Sequence, residues 1–452
     1  MGVQHSNEAR AGGFHTKELL AMKRFTAAVS LAALSLSVAA CASTPASNSA
    51  ELTSGPISIW YSTNEQEVAW AEAVVEKWNA EHPDEKVTAA AIPSGKSSED
   101  AIGAAITAGN TPCLVYNTAP AAVPAFQKQG GLVNISTTFD DGESFVTERS
   151  GEAADGFRSP DGDLYQIPWK ANPFMLYYNK DVFEAAGLDA ENPSLSTYDE
   201  VLTAAAAIKS SGAADFTLYP PASGDYTNAL FDFYPFFLAN SGGTQLVDDG
   251  KAAFSSPEAL ETLEFWKSLY AGGYSSAEAY SGDAWAGPFA DGVSALGIAG
   301  PWGAGAFDGK VNYGIVPLPT AEGTPADATY TFGDSKNVGL YTSCENKQTA
   351  WDFAKFSMDA DNDLALLEAT GQFPIRGDIN DVAGDFLAES PVLSTFAASV
   401  PLTVDVPNVA NATEIWQTFR DAWGKAVQAG EGDLEATITT AAEKADSLLA
   451  QN

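Results

Sequence analysis

Carboxylates dominate the reactive side chains of this chain, and histidine is nearly absent beyond its first forty residues. The 452 residues include 59 Asp and Glu, 23 Lys and Arg, and 3 His. Only His82 lies beyond residue 40, directly before Pro83, where an amphipathic helix is expected to end. This scarcity argues against a zinc site with several histidines, and a Ser-His-Asp triad would depend on His82 alone. We interpret His82 as a solvated residue at a helix end.

An apolar segment, residues 25–40, follows Lys23 and Arg24 and stops immediately before Cys41. A basic start, a short apolar core and small residues before a cut site are the parts of a secretory signal. The segment is too short for a membrane span, which needs about 20 apolar residues. The run ending in Cys41 resembles a bacterial lipobox, whose cysteine carries lipid. We therefore expect a signal peptide over 1–40, with Met22 as an alternative start, and a lipidated cysteine and flexible tether over 41–55. The protein would then be exported and lipid-anchored to the outer face of the cytoplasmic membrane.

The remaining chain is strongly acidic. Without residues 1–40, which hold four basic and two acidic residues, 19 basic and 57 acidic residues remain, a net charge of −38. Such a charge repels nucleic acid and anionic membrane surfaces, and it disfavours a phosphorylated ligand. The roughly 410 residues left are too many for one core and indicate two domains.

Two cysteines, Cys113 and Cys344, lie within the folded part of the chain. An exported setting permits a disulfide between them. Two cysteines so far apart are not the dense framework of a small secreted domain. One bridge and two buried thiols are equally compatible with the sequence.

Strands and helices alternate from residue 57 onward. Residues 57–61, 86–92 and 113–116 are predicted strands, and the helical spacings between them predict two helices, the second over 101–108. Further helix starts are predicted at a Thr197–Glu200 capping box, at Ser256–Pro257, at Thr413 and over 434–449. This alternation predicts an α/β fold with mostly parallel sheets flanked by helices.

Ligands of parallel α/β sheets bind beyond the carboxyl ends of the strands. That rule selects Tyr61, Asn64 and Glu65 after the first strand and Asn117 after the third.

Seven segments in order resemble family 1 extracellular solute-binding proteins, the sugar receptors of ABC importers. The central segment contains Tyr165-Gln166-Ile167-Pro168, then Tyr178-Asn179-Lys180-Asp181 and Ala186-Gly187-Leu188, as that family does. The other similar segments are residues 193–200, residues 289–296, Gly300-Pro301-Trp302, residues 313–319, residues 343–356 and residues 370–374. The chain departs from the family at Pro112-Cys113, where the family usually has Pro-Asp.

The resemblance implies two lobes joined by three hinge crossings, near 168–173, 315–320 and 371–375. The N-terminal lobe would comprise 56–169 and 319–373, and the C-terminal lobe 170–318 and 374–452. A ligand would bind in the cleft, and the lobes would close on it by hinge bending.

A sugar presents a C–H face that packs on aromatic rings and a rim of hydroxyls that needs paired donors and acceptors. The chain has 10 Trp and many acids, which suits a neutral saccharide. Trp302 matches the Trp of the family's Gly-Pro-Trp, which often stacks on sugar. The remaining candidates lie on the predicted crossings or in turn-rich loops: Trp169, Lys170, Asn172, Tyr226, Trp285, Asp334 and Arg376. Trp60, Trp78, Trp266 and Trp351 have core spacing and are predicted to be buried.

The leading hypothesis is a binding lipoprotein without catalysis, cofactor or metal, acting as a monomer. It would deliver a sugar or oligosaccharide to permease subunits powered by a separate ATPase, since this chain lacks a Gly-x-x-x-x-Gly-Lys-Ser/Thr motif. Two alternatives remain open at this point. One is a secreted glycoside hydrolase, because two carboxylates are easily found in so acidic a chain. The other is a receptor for a non-sugar solute such as an amine, held by an aromatic cage.

Overall fold

A computed structural model describes residues 52–62, 64–93 and 97–451, apart from the side chain of Glu65. The chain from Leu52 onward forms one compact unit. The predicted signal peptide and Cys41 lie outside the described residues, as does most of the tether. Within the described part, no helix combines the length and apolar character that a membrane-spanning segment needs.

The structure contains strands and helices throughout the described residues. The strands are β1 (Ile57–Tyr61), β2 (Val87–Ala91), β3 (Leu114–Thr118), β4 (Ile167–Ala171), β5 (Met175–Asn179), β6 (Val247–Asp248), β7 (Lys251–Ala252), β8 (Leu296–Ala299), β9 (Tyr313–Val316), β10 (Thr331–Phe332), β11 (Lys336–Leu340), β12 (Phe373–Pro374) and β13 (Thr403–Val404). The α-helices are α1 (Glu65–Glu81), α2 (Ser98–Ala108), α3 (Val123–Lys128), α4 (Ile135–Thr138), α5 (Gly142–Ser150), α6 (Lys180–Ala185), α7 (Tyr198–Ser211), α8 (Phe233–Ser241), α9 (Pro257–Ala271), α10 (Gly287–Ala290), α11 (Trp302–Phe307), α12 (Lys347–Ser357), α13 (Ala360–Thr370), α14 (Asn380–Ala388), α15 (Pro391–Ser399), α16 (Ala412–Trp423) and α17 (Leu434–Leu449).

Local signals set several helix starts as predicted. Thr197 and Glu200 form the expected capping box of α7, and Ser256 accepts a hydrogen bond from Ala259 N before Pro257 opens α9. At α1 the cap is Asn64, whose side chain accepts from Gln66 N and Glu67 N.

The first sheet has six strands in the order β12-β4-β11-β3-β1-β2. β1 pairs in parallel with β2 and β3, whereas β11 is antiparallel to both β3 and β4, and β12 is antiparallel to β4. Helices α1 and α12 cover one face with a large apolar core, and α2 and α3 cover the other. We call this sheet with its helices the first region.

The second sheet has three strands in the order β8-β5-β9, and both pairings are antiparallel. The prediction that each lobe holds a mostly parallel sheet is therefore wrong for this sheet, and the first sheet is mixed. β8 and β9 share a direction because α11 connects them, but β5 is inserted between them in the opposite direction. Leu176 and Tyr178 face a core built on α7, α8, α9, α16 and α17, while Met175 and Tyr177 face α14 and α15. We call this sheet with its helices the second region.

The chain passes between the regions at residues 172–174, 333–335 and 375–379. Asn172 N donates to Gly333 O at 2.6 Å, and Phe174 N donates to Phe332 O at 3.1 Å, so the first two crossings run side by side. Leu318 and Phe332 both pack in the second region. After β9 the chain stays in the second region, where β10 pairs with β13. The chain therefore enters the first sheet later than the predicted boundary at 319. The other predicted lobe boundaries stay predictions.

Cys113 and Cys344 form a disulfide, with their Cα atoms 4.5 Å apart. The bond joins the start of β3 to the turn after β11, two neighbouring strands of the first sheet. Of the two alternatives that the sequence left open, the structure contains the bridge.

Candidate ligand-binding site

Three predicted residues meet where the first two crossings run together. The Asn172 amide nitrogen donates to the Asp334 carbonyl at 3.4 Å. A side chain on Gly300 would lie 3.1 Å from Asn172 Cβ and 2.9 Å from Trp302 Nε1, so Asn172 and Trp302 flank the same point. Asn172 Oδ1 is buried and, among the described residues, accepts no hydrogen bond. An unfilled buried acceptor beside an indole ring is an arrangement that a ligand hydroxyl can complete.

Two residues of the first sheet and its crossings have a left-handed backbone conformation. Asp334 has φ 37° and Asn117, at the end of β3, has φ 64°; both lie in the left-handed region that L-residues rarely adopt. Such conformations persist only where the surrounding structure holds them. Here β11 pairs with both β3 and β4 and fixes the strands on either side.

A buried ion pair lies behind the crossings. The Lys170 ammonium contacts the Glu67 carboxylate of α1, and the two side chains are 1% and 6% exposed. The amide nitrogen of Gln372 donates to the same Glu67 oxygen at 2.8 Å. Burial by itself raises the pKa of Glu67, but the charge and hydrogen bond of Lys170 outweigh it, and the pKa lies below its ordinary value. Burial also lowers the pKa of Lys170, and the ionised Glu67 carboxylate acts against that by stabilising the ammonium.

The second cation of the site is also paired. The Lys336 ammonium contacts the Asp334 carboxylate, and both side chains are partly buried. Burial acts to lower the pKa of Lys336, but Asp334, Glu99 and Asp405 raise it above its ordinary value. Burial raises the pKa of Asp405. The site thus has more carboxylates than cations.

The second region contributes aromatic rings. Phe174, which follows the first crossing, lies 6.5 Å from the ring of Trp302, 5.4 Å from Phe231 and 5.7 Å from Phe332 between centroids. Phe174 and Phe332 are buried, whereas Trp302 and Phe231 are half-buried and present accessible ring surface. Trp285 contacts Phe231 at 4.5 Å.

Tyr226 belongs to the second region and begins a short 3-10 helix that is capped by the side chain of Asp225. Burial raises the pKa of its phenol, and the carboxylates of Glu99, Asp225 and Asp100 add to that effect. Glu99 and Asp100 lie at the start of α2, so the charge of a first-region helix acts on this second-region phenol.

Three predicted site residues are corrected by their surroundings. Trp169 is 1% exposed and packs between Trp70 of α1 and Tyr116 of β3, so it is a core residue. Tyr61 lies in a shallow groove between α1 and β2, away from Asn172. Arg376 forms an ion pair with the buried Asp363, which also pairs with Arg149. This arginine therefore lies away from the polar cluster at the crossings, which consists of Lys170, Asn172, Asp334 and Lys336. Tyr61 had been selected because it ends a strand, and Trp169 and Arg376 because they lie on or after a predicted crossing; none of these criteria determines where a side chain points.

Other predicted residues have supporting positions. Lys170 is buried in its ion pair and is not a free contact. Asn64 caps α1 with its side-chain oxygen. The side chain of Glu65 lies outside the described residues. Asn117 is half-buried at the end of β3. Trp78, Trp266 and Trp351 are buried as predicted, whereas Trp60, predicted to be buried with them, is half-buried.

Sequence reasoning missed Glu67, Gln372, Lys336, Glu99 and Phe231. Glu67 sits on the buried face of an amphipathic helix, where a charged residue signals a buried partner. Phe231 lies only five residues after Tyr226, which had been selected. For Lys336 and Glu99, no local pattern indicates that they approach each other, because they lie on β11 and α2.

A cavity of about 1000 Å³ lies between residues 150–157, 375–380 and 394–405, and Asp405, whose charge acts on Lys336, lines it. Ala171 and Ser335 line it, while their neighbours Lys170, Asn172 and Lys336 belong to the polar cluster. Alternation along a strand places adjacent side chains on opposite faces, so this cavity lies on the other face of the crossings. Among the described residues, no group of acids, histidines or cysteines is arranged to hold a metal ion.

A model of the bacterial extracellular solute-binding protein family matches residues 62–363. The chain belongs to this family. The assignment made from the sequence motifs is thereby confirmed.

Relatives of this solute-binding protein include receptors named for sugars. A putative binding protein of Brucella abortus (strain 2308) is 27% identical over 314 residues, which are 67% of this chain and 72% of the relative. A maltooligosaccharide ABC transporter solute-binding lipoprotein of Streptococcus pneumoniae (strain ATCC BAA-255 / R6) is 26% identical over 295 residues, 64% of this chain and 65% of that one.

The fold of the solute-binding protein matches solved structures. The cyclic alpha-maltosyl-1,6-maltose binding protein of Arthrobacter globiformis superposes with a TM-score of 0.74 at 21% identity, covering 88% of this chain and all of that chain (100%). The predicted two-lobed α/β binding-protein fold is confirmed at this level.

Proposed function

We propose that this protein captures a neutral sugar or oligosaccharide between its two regions and delivers it to the permease of an ABC importer. The observation that carries the proposal is the buried, unpartnered Asn172 Oδ1 beside Trp302. A sugar ring can pack its C–H face on the indole while one hydroxyl donates to this oxygen. Relatives named for maltooligosaccharides support the ligand class.

The charges of the site support a neutral ligand. Both cations, Lys170 and Lys336, are already held by carboxylates. A phosphate or carboxylate on the ligand would compete with Glu67 and Asp334 for them and would meet Glu99. Desolvating an anion without a free cation is unfavourable.

The proposal includes an anchor and partners outside the described residues. Lipid on Cys41 would tether the receptor to the outer face of the cytoplasmic membrane, where the permease subunits and their separate ATPase lie. The receptor itself would act as a monomer without catalysis. Mass spectrometry of the protein purified from membranes tests the anchor: a lipid adduct on Cys41 is expected, and an unmodified cysteine contradicts it.

A thermal-shift screen tests the ligand class. Neutral mono- to tetrasaccharides, a sugar phosphate and a quaternary amine are each added at increasing concentration. A ligand that binds only the folded state raises the melting temperature by mass action. We expect a shift with at least one neutral saccharide and none with the sugar phosphate. A shift with the amine alone would replace the sugar by a cation, and hydrolysis of the saccharide during incubation would show a glycosidase instead.

A further inference from the structure

The cavity on the other face of the crossings is large enough to hold a small organic molecule. Its volume is about 1000 Å³, which lies at the upper end of the range for small-molecule sites in proteins. Its walls come from the 3-10 turn Gly151–Phe157 of the first region, from the third crossing, and from α15 and β13 of the second region. Both regions therefore contribute to this cavity.

Much of the wall is apolar. The apolar side chains that line the cavity and are buried in the fold are Phe157, Ala171, Ile375, Ile379 and Leu387. Such a wall favours the carbon body of a ligand, because apolar surface on both sides is removed from water on binding.

A buried hydroxyl in this wall lacks a partner. Ser150, the last residue of α5, lines the cavity and is 1% exposed. Among the described residues, its Oγ has no hydrogen-bond partner. A buried polar group without a partner is costly and rare in folded proteins. A polar group on a ligand in the cavity would supply the missing hydrogen bond.

The charge of the lining is negative. Glu152, Asp378 and Asp405 line the cavity, and none of these three carboxylates forms an ion pair within the described part of the chain. Arg376 is the one cation among the described lining residues, and the buried Asp363 already holds its guanidinium. Carboxylates without a counter-charge favour a cationic ligand over a neutral or anionic one.

The Asp405 carboxylate is fixed in position before any ligand arrives. Its Oδ1 accepts a hydrogen bond from Ser335 N at 3.0 Å. Its backbone carbonyl accepts from the Tyr234 hydroxyl at 2.9 Å and from Gln245 Nε2 at 2.8 Å. A group that is already ordered loses little conformational entropy when a ligand binds to it.

We propose that this cavity is a second binding site, which takes a small organic amine with an apolar body. An ammonium group brings three N–H donors, which suit the Asp405 carboxylate and the Ser150 hydroxyl oxygen, while the body packs on the apolar wall. The inference goes beyond the proposed function, because the site lies on the opposite face of the crossings from Asn172 and does not require a sugar.

Calorimetric titration with phenethylamine tests the inference. Phenethyl alcohol and phenylacetate carry the same ring without a positive charge, and we expect the amine alone to bind. Asp405→Asn keeps an acceptor for Ser335 N and should weaken amine binding about tenfold, because a hydrogen bond to a charged group is lost. Ala398→Trp, at an exposed lining position of α15, should abolish amine binding by filling the cavity.

A matched pair of variants separates the site from general attraction to an acidic protein. Glu152 and Glu148 are both exposed, but only Glu152 lines the cavity. Glu152→Gln should weaken amine binding about threefold, as expected for one exposed charge, and Glu148→Gln should bind the amine like the parent.

Several results would overturn the inference. They are a failure of phenethylamine to bind, equal binding of phenethyl alcohol, equal weakening by Glu148→Gln and Glu152→Gln, and parent-like binding by Ala398→Trp. If Asp405→Asn lowers the melting temperature of the ligand-free protein, Ala398→Trp and Glu152→Gln decide, because both changes are made at exposed positions. Amine binding that persists beside a saturating saccharide, and is lost in Ala398→Trp, supports two separate sites.

Discussion

The two regions that flank the site contribute opposite chemistry. On the side of the first region, Glu67, Lys170 and Gln372 form a buried network in which each charge is neutralised. On the side of the second region, Trp302, Phe231 and Trp285 present ring surface over a buried phenylalanine.

This difference assigns different tasks to the two sides. Ring surface contributes affinity through buried area and dispersion, and tolerates many ring stereochemistries. Satisfied charges contribute little affinity, but they keep the backbone of the crossings in register and reject ligands with unpaired charge. Substitutions on the charged side should therefore mainly lower the free energy of unfolding. Substitutions on the aromatic side should mainly lower the affinity for the ligand.

Lys170→Met should produce the largest effect, on stability. Removing Lys170 leaves the Glu67 carboxylate buried without a counter-charge, which costs about 3–5 kcal/mol of unfolding free energy. Urea denaturation followed by circular dichroism measures it. The double variant Glu67→Gln/Lys170→Met removes both charges, keeps an acceptor for Gln372 and should recover most of the loss. A single variant as stable as the parent would mean that the pair is not buried in solution.

Trp302→Ala should weaken binding of a neutral oligosaccharide at least tenfold, roughly the loss of one good stacking contact. Because the ring is half-buried and also packs on both cores of the second region, Trp302→Phe serves as the matched control and should retain part of the affinity. Calorimetric titration measures both. Parent-like binding by Trp302→Ala would place the ligand elsewhere.

Asn172→Ala should weaken binding less, by about fivefold, because it removes one hydrogen bond to a ligand hydroxyl worth about 1 kcal/mol. The matched control is Asn110→Ala, at an exposed position beyond the far end of α2. If the two alanine variants bind alike, Asn172 does not contact the ligand.

The smallest expected effect concerns how the free energy of unfolding falls at acidic pH. The pKa of Glu67 lies below its ordinary value of 4.5 in the folded protein. The ionised pair therefore contributes stability above that value, and the contribution is lost as pH falls through the folded pKa. Between pH 5 and 3 the parent should lose unfolding free energy more steeply than Glu67→Gln/Lys170→Met. Identical slopes would contradict a lowered pKa.

Elements that depend on short-range sequence signals were predicted well. β1 and α17 have the predicted bounds, and the Thr197 and Ser256 caps lie where their motifs place them. Trp302 and Asn172 were found from a family resemblance, and the structure brings them together. The corrected residues Trp169 and Tyr61 were chosen from a predicted crossing and from a strand end, but Trp169 lies inside β4 with its ring in the core, and Tyr61 lies in the groove between α1 and β2.

The chain's order of residues by itself determined the α/β class, the family and the aromatic and acidic character of the site, because capping, periodicity and motif spacing are short-range properties. Only the tertiary structure decided that β5 lies antiparallel between β8 and β9, that Glu67 neutralises Lys170, and that Trp285 joins Trp302 through Phe231 and Phe174. Each of these depends on contacts between residues far apart in the chain. Which face of a strand is buried, and which charges meet, is set by the packing of whole layers.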